Sequence, residues 1–199
     1  STDEVYGSLD INDESSSEDS PYKPNSPYSA SKACSNHLVR AWNRTYGVPC
    51  ITTNSSNNYG PYQNEEKFIP TIISNYLSNK KIPLYGNGKN IRDWIFVKDN
   101  VEAINNILMK GKVGQEYNIG GDNELSNIDL IDFVCETIRE VFPDKELEKD
   151  NYYEFVEDRP GHDYRYSLNS EKLKREINWS KKNNFKDSII ETIKWYSEY

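Results

Sequence analysis

Apolar residues recur at helical spacing along much of this chain. In segment 28–46, Leu38, Trp42 and Tyr46 stand four apart, and Gly47 follows as a natural stop. Ile72, Ile73, Tyr76 and Leu77 give a second helix a packing face, with Pro70 suited to its first turn. Asp99-x-x-Glu102 reads as a capping box for a third helix, with Val101, Ile104, Ile107 and Leu108 inward and an end near Gly111. Ser126-x-x-Asp129 caps a fourth, with Leu130, Ile131, Val134, Ile138 and Val141 inward until Pro143. A helix from Ser170 through Ile177 and a last one from Lys186, carrying Ile189, Ile190, Ile193 and Tyr196, complete the set. Strand-like runs lie between them at 1–6, 49–53, 91–97, 116–119 and 152–156. Strands alternating with helices predict an α/β fold.

The remaining stretches are loops. Segment 8–27 is acidic, Ser-rich and broken by Pro21, Pro24 and Pro27, the composition of a surface loop free to move. Segment 54–61 is a run of amides and hydroxyls after a strand, where parallel sheets hold ligands, although Asn and Gly favour turns in any case. Gly86-Asn87-Gly88 is a hairpin-like turn, and 145–151 is a charged loop.

Composition narrows the function. Acidic residues outnumber basic ones 32 to 24, with no basic stripe, which argues against a partner bound through nucleic-acid phosphates. No apolar run is long enough to span a bilayer. The three cysteines (Cys34, Cys50, Cys135) form no Cys-x-x-Cys, as expected of reduced, packing thiols in a cytoplasmic protein. No cluster has metal-ligand spacing.

The candidate chemistry sits near the start. In Tyr28-Ser29-Ala30-Ser31-Lys32 a phenol and an ammonium are four residues apart, a rise of about 6 Å along one helix face. A cation beside a phenol favours the phenolate and draws its pKa down from roughly 10, which suits a base that takes a proton from a hydroxyl. Thr2, Asp3 and Glu4 add a hydroxyl and two adjacent carboxyls, and two carboxyls in different surroundings can serve as acid and base. Arg92 offers a guanidinium matched to a diphosphate, or a partner for its neighbour Asp93. Arg159, in Asp158-Arg159-Pro160-Gly161-His162-Asp163, suits a phosphate as well, with His162 able to bond in the same region; a packing turn is the plainer reading. His37 reads as structural.

Together, Thr2-Asp3-Glu4 and Tyr28-x-x-x-Lys32 resemble the extended short-chain dehydrogenase/reductase family, and within it the nucleotide-diphosphoglucose 4,6-dehydratases. The resemblance runs through nearly the whole chain. It implies a doubly wound parallel Rossmann sheet with a smaller α/β substrate lobe, the active site lying in the cleft between them. Residues 1–60 and 92–121 would belong to the NAD-binding sheet, and 61–91 and 122–199 to the lobe. No Gly-x-x-Gly-x-x-Gly is present to cradle a pyrophosphate, so the chain is read as the C-terminal portion of a longer enzyme.

The resemblance also implies roles. Thr2, Asp3, Glu4, Tyr28 and Lys32 would be catalytic, with NAD as cofactor held by Tyr28, Lys32 and Asn58. A nucleotide-diphosphoglucose would be held by Thr2, Asn57, Lys67, Phe68, Pro83, Leu84, Tyr85, Arg92 and Asn127, and by Asp158, Arg159, Pro160, Gly161 and His162. No metal is implied, and a homodimer is expected. A related epimerase or decarboxylase is the nearer alternative, against which Asp3-Glu4 argues; a catalytically silent binding relative is the more distant one. The base, thymine or uracil, is not selected by any of these residues.

Overall fold

Ser26 starts the first long helix. Its hydroxyl accepts from the Ser29 backbone N–H at 3.0 Å while Ser29 Oγ accepts from the Ser26 N–H at 3.0 Å, and Pro27 takes the first helical position. The computed structural model describes residues 1–147 and 150–198. Its elements in chain order are a 3-10 turn Asp3–Tyr6, α1 Pro27–Tyr46, β1 Thr52–Ser55, β2 Asn57–Tyr59, α2 Phe68–Leu77, β3 Ile82–Tyr85 and β4 Ile91–Phe96. There follow α3 Val97–Lys110, β5 Glu116–Ile119, β6 Glu124–Ser126, α4 Asn127–Val141, β7 Tyr153–Val156, α5 Glu171–Ile177 and α6 Phe185–Ser197. Glu148 and Lys149, part of the charged loop expected at 145–151, lie outside the described residues.

The chain folds as two units. The first comprises residues 1–58, 91–124 and 163–182. In it β1 and β5 pair in parallel, Thr52 opposite Glu116 through Ser55 opposite Ile119, and Thr2 bridges Ser55 in the same sense. The sheet order β2-β4-β6 uses strands whose ends mark where the chain leaves and re-enters this unit. Ile95, Ala103, Ile107, Tyr117, Ile119, Leu173, Ile177 and Trp179 form one core, and Val5, Tyr6, Ala33 and Leu168 another. Residues 163–182, assigned above to the smaller lobe, supply Leu168, Leu173, Ile177 and Trp179 to these cores, and that burial is why they belong to the first unit.

The second unit comprises residues 59–90, 125–162 and 183–199. Its β3 and β7 pair in parallel, Ile82 opposite Tyr153 through Tyr85 opposite Val156. Helices α2, α4 and α6 pack on one another, burying Ile69, Ile72, Ile73, Leu130, Ile131, Val134, Ile138, Ile189 and Ile193. The periodicity that predicts these three helices is therefore a core periodicity.

The sequence pattern misleads in four places. Segment 1–6 is not a strand: the Thr2 hydroxyl accepts from the Glu4 N–H and turns the chain into the 3-10 turn. Segment 8–27 is tied down, with Leu9 N–H donating to Arg165 O at 3.0 Å, Ser16 N–H to Ser167 O at 2.9 Å, and Glu18 Oε1 accepting from Asn118 N–H at 2.8 Å. The run after β1 is extended rather than looped, since β2 follows after Ser56. Helix α3 begins at Val97, two residues ahead of the expected box, because Asp99 accepts instead from the Lys182 N–H at 3.0 Å. Its buried face is Asn100, Ala103 and Ile107, while Val101, Ile104 and Leu108 are exposed.

Candidate active site

The first unit brings Thr2, Asp3, Glu4, Tyr28 and Lys32 to neighbouring elements. Thr2 is the cap of the 3-10 turn. Its Oγ1 accepts from the Glu4 N–H at 3.3 Å and donates to Asp3 Oδ1 at 3.1 Å, so one hydroxyl orients both carboxyl-bearing residues. Asp3 is buried, and its Oδ2 has no hydrogen-bond partner. Burial is the main reason its carboxyl is pushed up from 3.8 to about 7. The Thr2 hydroxyl pulls the other way, and the charges of Glu4 and Asp93 raise it further. Glu4 is half-buried, so the two adjacent carboxyls do occupy different surroundings.

Tyr28 and Lys32 lie on the first turns of α1. Tyr28 is 53% exposed, and Lys32 Nζ stands 5.8 Å from the centroid of its ring. The phenol is held above the ordinary tyrosine value, by burial first and then by the negative charges of Glu4 and Asp3. The spacing alone predicts the opposite, a phenol lowered by Lys32. Burial first, and then the carboxyls of the 3-10 turn, give the opposite sign, and neither is visible in a helical-spacing argument.

Asn57 and Asn58 open β2. Asn57 Oδ1 is buried without a partner, and Asn58 Nδ2 donates to Ser56 O at 3.0 Å. Arg92 on β4 is 5% exposed. Its guanidinium donates to the carbonyls of Ile91 at 2.7 Å, Tyr164 at 3.3 Å and Asp163 at 2.9 Å, and lies 4.3 Å from the Tyr166 ring centroid. An open diphosphate clamp is not what this arrangement presents. Most of the fork is spent bracing 163–166, and Asp93 does not pair with it but accepts from the N–H groups of Gly121 at 2.7 Å and Asn123 at 2.8 Å.

The remaining candidates lie in the second unit. Lys67 is exposed just before α2, and Phe68 is half-buried at its start. On β3, Pro83 is half-buried and Tyr85 exposed, while Leu84 is sealed in the core and presents no side chain to a ligand. Asn127 is the first residue of α4, buried, its N–H donating to Asn90 O at 3.0 Å. Asp158 Oδ1 accepts from the Arg159 N–H at 2.9 Å and lies 2.7 Å from His162 Nδ1, and the bond to His162 holds its carboxyl below the usual range. Arg159, Pro160 and Gly161 are exposed. Gly86, at φ +60°, passes so near this loop that a Cβ there would meet Asp158 Oδ2 at 2.6 Å.

Sequence reasoning passes over Asp93, Asn36 and Asn54. Asn36 shares the buried stripe of α1 with Ser29 and Ala33, a burial its sequence context does not signal because two of the three are polar.

A family model described as GDP-mannose 4,6 dehydratase matches residues 1–192. The chain belongs to this family. Among the relatives of this dehydratase-family chain is the dTDP-glucose 4,6-dehydratase of Haemophilus influenzae, 52% identical over 98% of this chain and 59% of its own length. A dTDP-glucose 4,6-dehydratase from Bacillus anthracis, solved in complex with NAD, is 46% identical with a TM-score of 0.89, covering 100% of this chain and 60% of that one. DesIV, the dTDP-glucose 4,6-dehydratase of Streptomyces venezuelae solved with NAD and TYD bound, is 42% identical with a TM-score of 0.92, covering 99% of this chain and 58% of that one. The chain therefore spans about three-fifths of the length of these dehydratases. Its α/β architecture with parallel strand pairs matches theirs, as the resemblance read from the sequence implies.

Proposed function

We propose that the protein is a nucleotide-diphosphoglucose 4,6-dehydratase, converting dTDP- or UDP-glucose to the 4-keto-6-deoxy sugar with NAD as internal redox cofactor. The observation that carries this reading is the pair Asp3 and Glu4. One carboxyl is buried and keeps its proton to about pH 7, while its half-buried neighbour lies beside it in one 3-10 turn. An epimerase or decarboxylase has no need of such an acid and base.

The half-exposed phenol of Tyr28 beside Lys32, and the amide of Asn58, are the groups that would hold NAD. When bound, NAD supplies the hydride acceptor for C4 and the donor for C6. Tyr28 takes the proton of the C4 hydroxyl, and Lys32 favours the phenolate. Asp3, by staying neutral, removes one of the two charges that oppose that phenolate. Once C4 is a ketone, the C5 proton is acidic and Glu4 removes it. Asp3 gives its proton to the departing C6 hydroxyl, so the C–O bond breaks with loss of water. Thr2 keeps acid and base in register through its two hydrogen bonds.

Among the nucleotide-sugar contacts, Arg159 and Lys67 are exposed cations, and Phe68, Pro83, Tyr85, Asn127 and His162 are the further candidates. Leu84 contributes backbone only, and Arg92 acts as much by bracing 163–166 as by direct contact. A homodimer is part of the reading, supported by Leu38, Trp42 and Tyr46 exposed along α1. Action in the cytoplasm is supported by three free cysteines. No helix among the described residues is long and apolar enough to cross a membrane.

The test is the product. Incubation of the full-length protein with NAD and dTDP-glucose or UDP-glucose, followed by NMR, is expected to show a C6 methyl group beside a C4 ketone. A product retaining its C6 hydroxyl with C4 inverted would overturn the reading in favour of an epimerase.

A further inference from the structure

One buried polar cluster in the first unit is unused by the mechanism above. Asn36 stands one helical turn beyond Lys32 and two beyond Tyr28, on the buried stripe of α1. Its Nδ2 donates to Asn54 Oδ1 on β1 at 2.9 Å and to the Tyr22 hydroxyl at 2.9 Å. Asn54 Nδ2 in turn donates to the Tyr6 hydroxyl at 3.0 Å and to Asn118 Oδ1 on β5 at 3.3 Å. Tyr6 closes the circuit by donating to Asn118 Oδ1 at 2.9 Å. Tyr22 donates onward to Glu116 Oε2 at 2.7 Å. Tyr6 is the last residue of the turn that carries Asp3 and Glu4. Asn36, Asn54 and Asn118 are all nearly inaccessible to solvent.

From this cluster we infer that Asn36 is a positioning residue, whose amide, relayed through Asn54 and Tyr6, holds the helix bearing Tyr28 and Lys32 at a set distance from the turn bearing Asp3 and Glu4. The inference rests on the dehydratase reading and adds to it a device that couples the two halves of the reaction. Apolar packing alone would tolerate sliding, because dispersion has no direction. Hydrogen bonds near 2.9 Å do not, and in a buried network each donor left without its acceptor is strongly disfavoured. Every donor in this circuit reaches an acceptor, so the separation of α1 and the turn is specified by bonds. Oxidation needs only the α1 residues beside the sugar. Elimination needs the turn at the same sugar in the same turnover, and that step depends on the separation.

The test compares Asn36→Leu, which keeps a side chain of similar reach without the amide, with Tyr6→Phe, which deletes one hydroxyl and nothing else. Leu173→Ala, in the other core of the unit, serves as a control for plain destabilisation. In both network variants kcat is expected to fall about tenfold or more with KM within about threefold, the mark of an effect realised in the reacting complex. NADH should accumulate ahead of 6-deoxy product, and hydrogen exchange should speed up at residues 3–6 more than at 171–177. The double variant should lose less than the product of the two single losses, because both cut one circuit. Leu173→Ala should lower thermal stability and leave the NADH-to-product ratio at its parental value. Network variants with the parental ratio and parental exchange at 3–6, or with NADH and product reduced in equal proportion, would overturn the inference. A parental protein forming no 6-deoxy product is a different failure: it would overturn the dehydratase reading and the coupling built on it.

Discussion

Asp3 is the residue at which folding and chemistry conflict most openly. Its carboxyl titrates near 3.8 when unfolded and about 7 when folded, mainly because it is buried. The stability it contributes is therefore complete below pH 4 and is lost as pH rises toward 7, where the native state must ionise a buried acid. Asp3→Asn is expected to stabilise the protein more at pH 8 than at pH 5, by roughly 2–4 kcal/mol for a shift of this size. Urea denaturation of both proteins at the two pH values measures the gap, and a pH-independent difference would contradict the assigned titration. The same residue shapes the rate profile: turnover should fall above about 7 as Asp3 loses its proton. Tyr28→Phe should reduce turnover by far more than tenfold, a barrier change above about 1.4 kcal/mol. It should leave stability within about 0.5 kcal/mol, since the side chain is half-exposed. As candidates, Asp3, Glu4, Tyr28 and Lys32 were legible in the sequence because the proposed chemistry needs those residue types at those spacings. The sign of the Tyr28 shift was not, because it is set first by burial and then by charges on a different element. Asn36 and Asn54 were illegible for a similar reason, an amide being informative only once its partners are known.

At the scale of elements, α1 carries the proposed base on its opening turns, so its N-terminus matters more than its length. Ser26→Ala removes the acceptor for the Ser29 N–H and should cost about 1 kcal/mol of stability. Because fraying begins beside Tyr28, the loss of activity in this variant should exceed the drop in folded fraction measured by circular dichroism at the assay temperature. Helices α2, α4 and α6 were readable from apolar period because each packs against the other two. Helix α3 was readable as a helix but not as to face: Val101, Ile104 and Leu108 are apolar, yet Ala103 and Ile107 are the residues buried. The 3-10 turn escaped detection because Thr2, Val5 and Tyr6 all favour strands, and one hydrogen bond from the Glu4 N–H to the Thr2 hydroxyl overrides that preference.

For the whole molecule, the two units draw on separated stretches of sequence, which is why 163–182 could not be assigned from order along the chain. The acidic balance, 32 against 24, makes a few placed cations such as Arg159 the natural handles for an anionic sugar nucleotide. Exposed Leu38, Trp42 and Tyr46 on α1 favour self-association: light scattering at micromolar concentration should give a dimer, and Trp42→Glu should give a monomer. The proposed reaction depends on a division of labour between Tyr28–Lys32 and Asp3–Glu4. Single-turnover mixing of Asp3→Asn and Glu4→Gln with NAD and dTDP-glucose tests it most directly, by following NADH absorbance and quenched product together. NADH should form at close to the parental rate and persist while 6-deoxy product is delayed; equal loss of NADH and product in both variants would contradict the assignment.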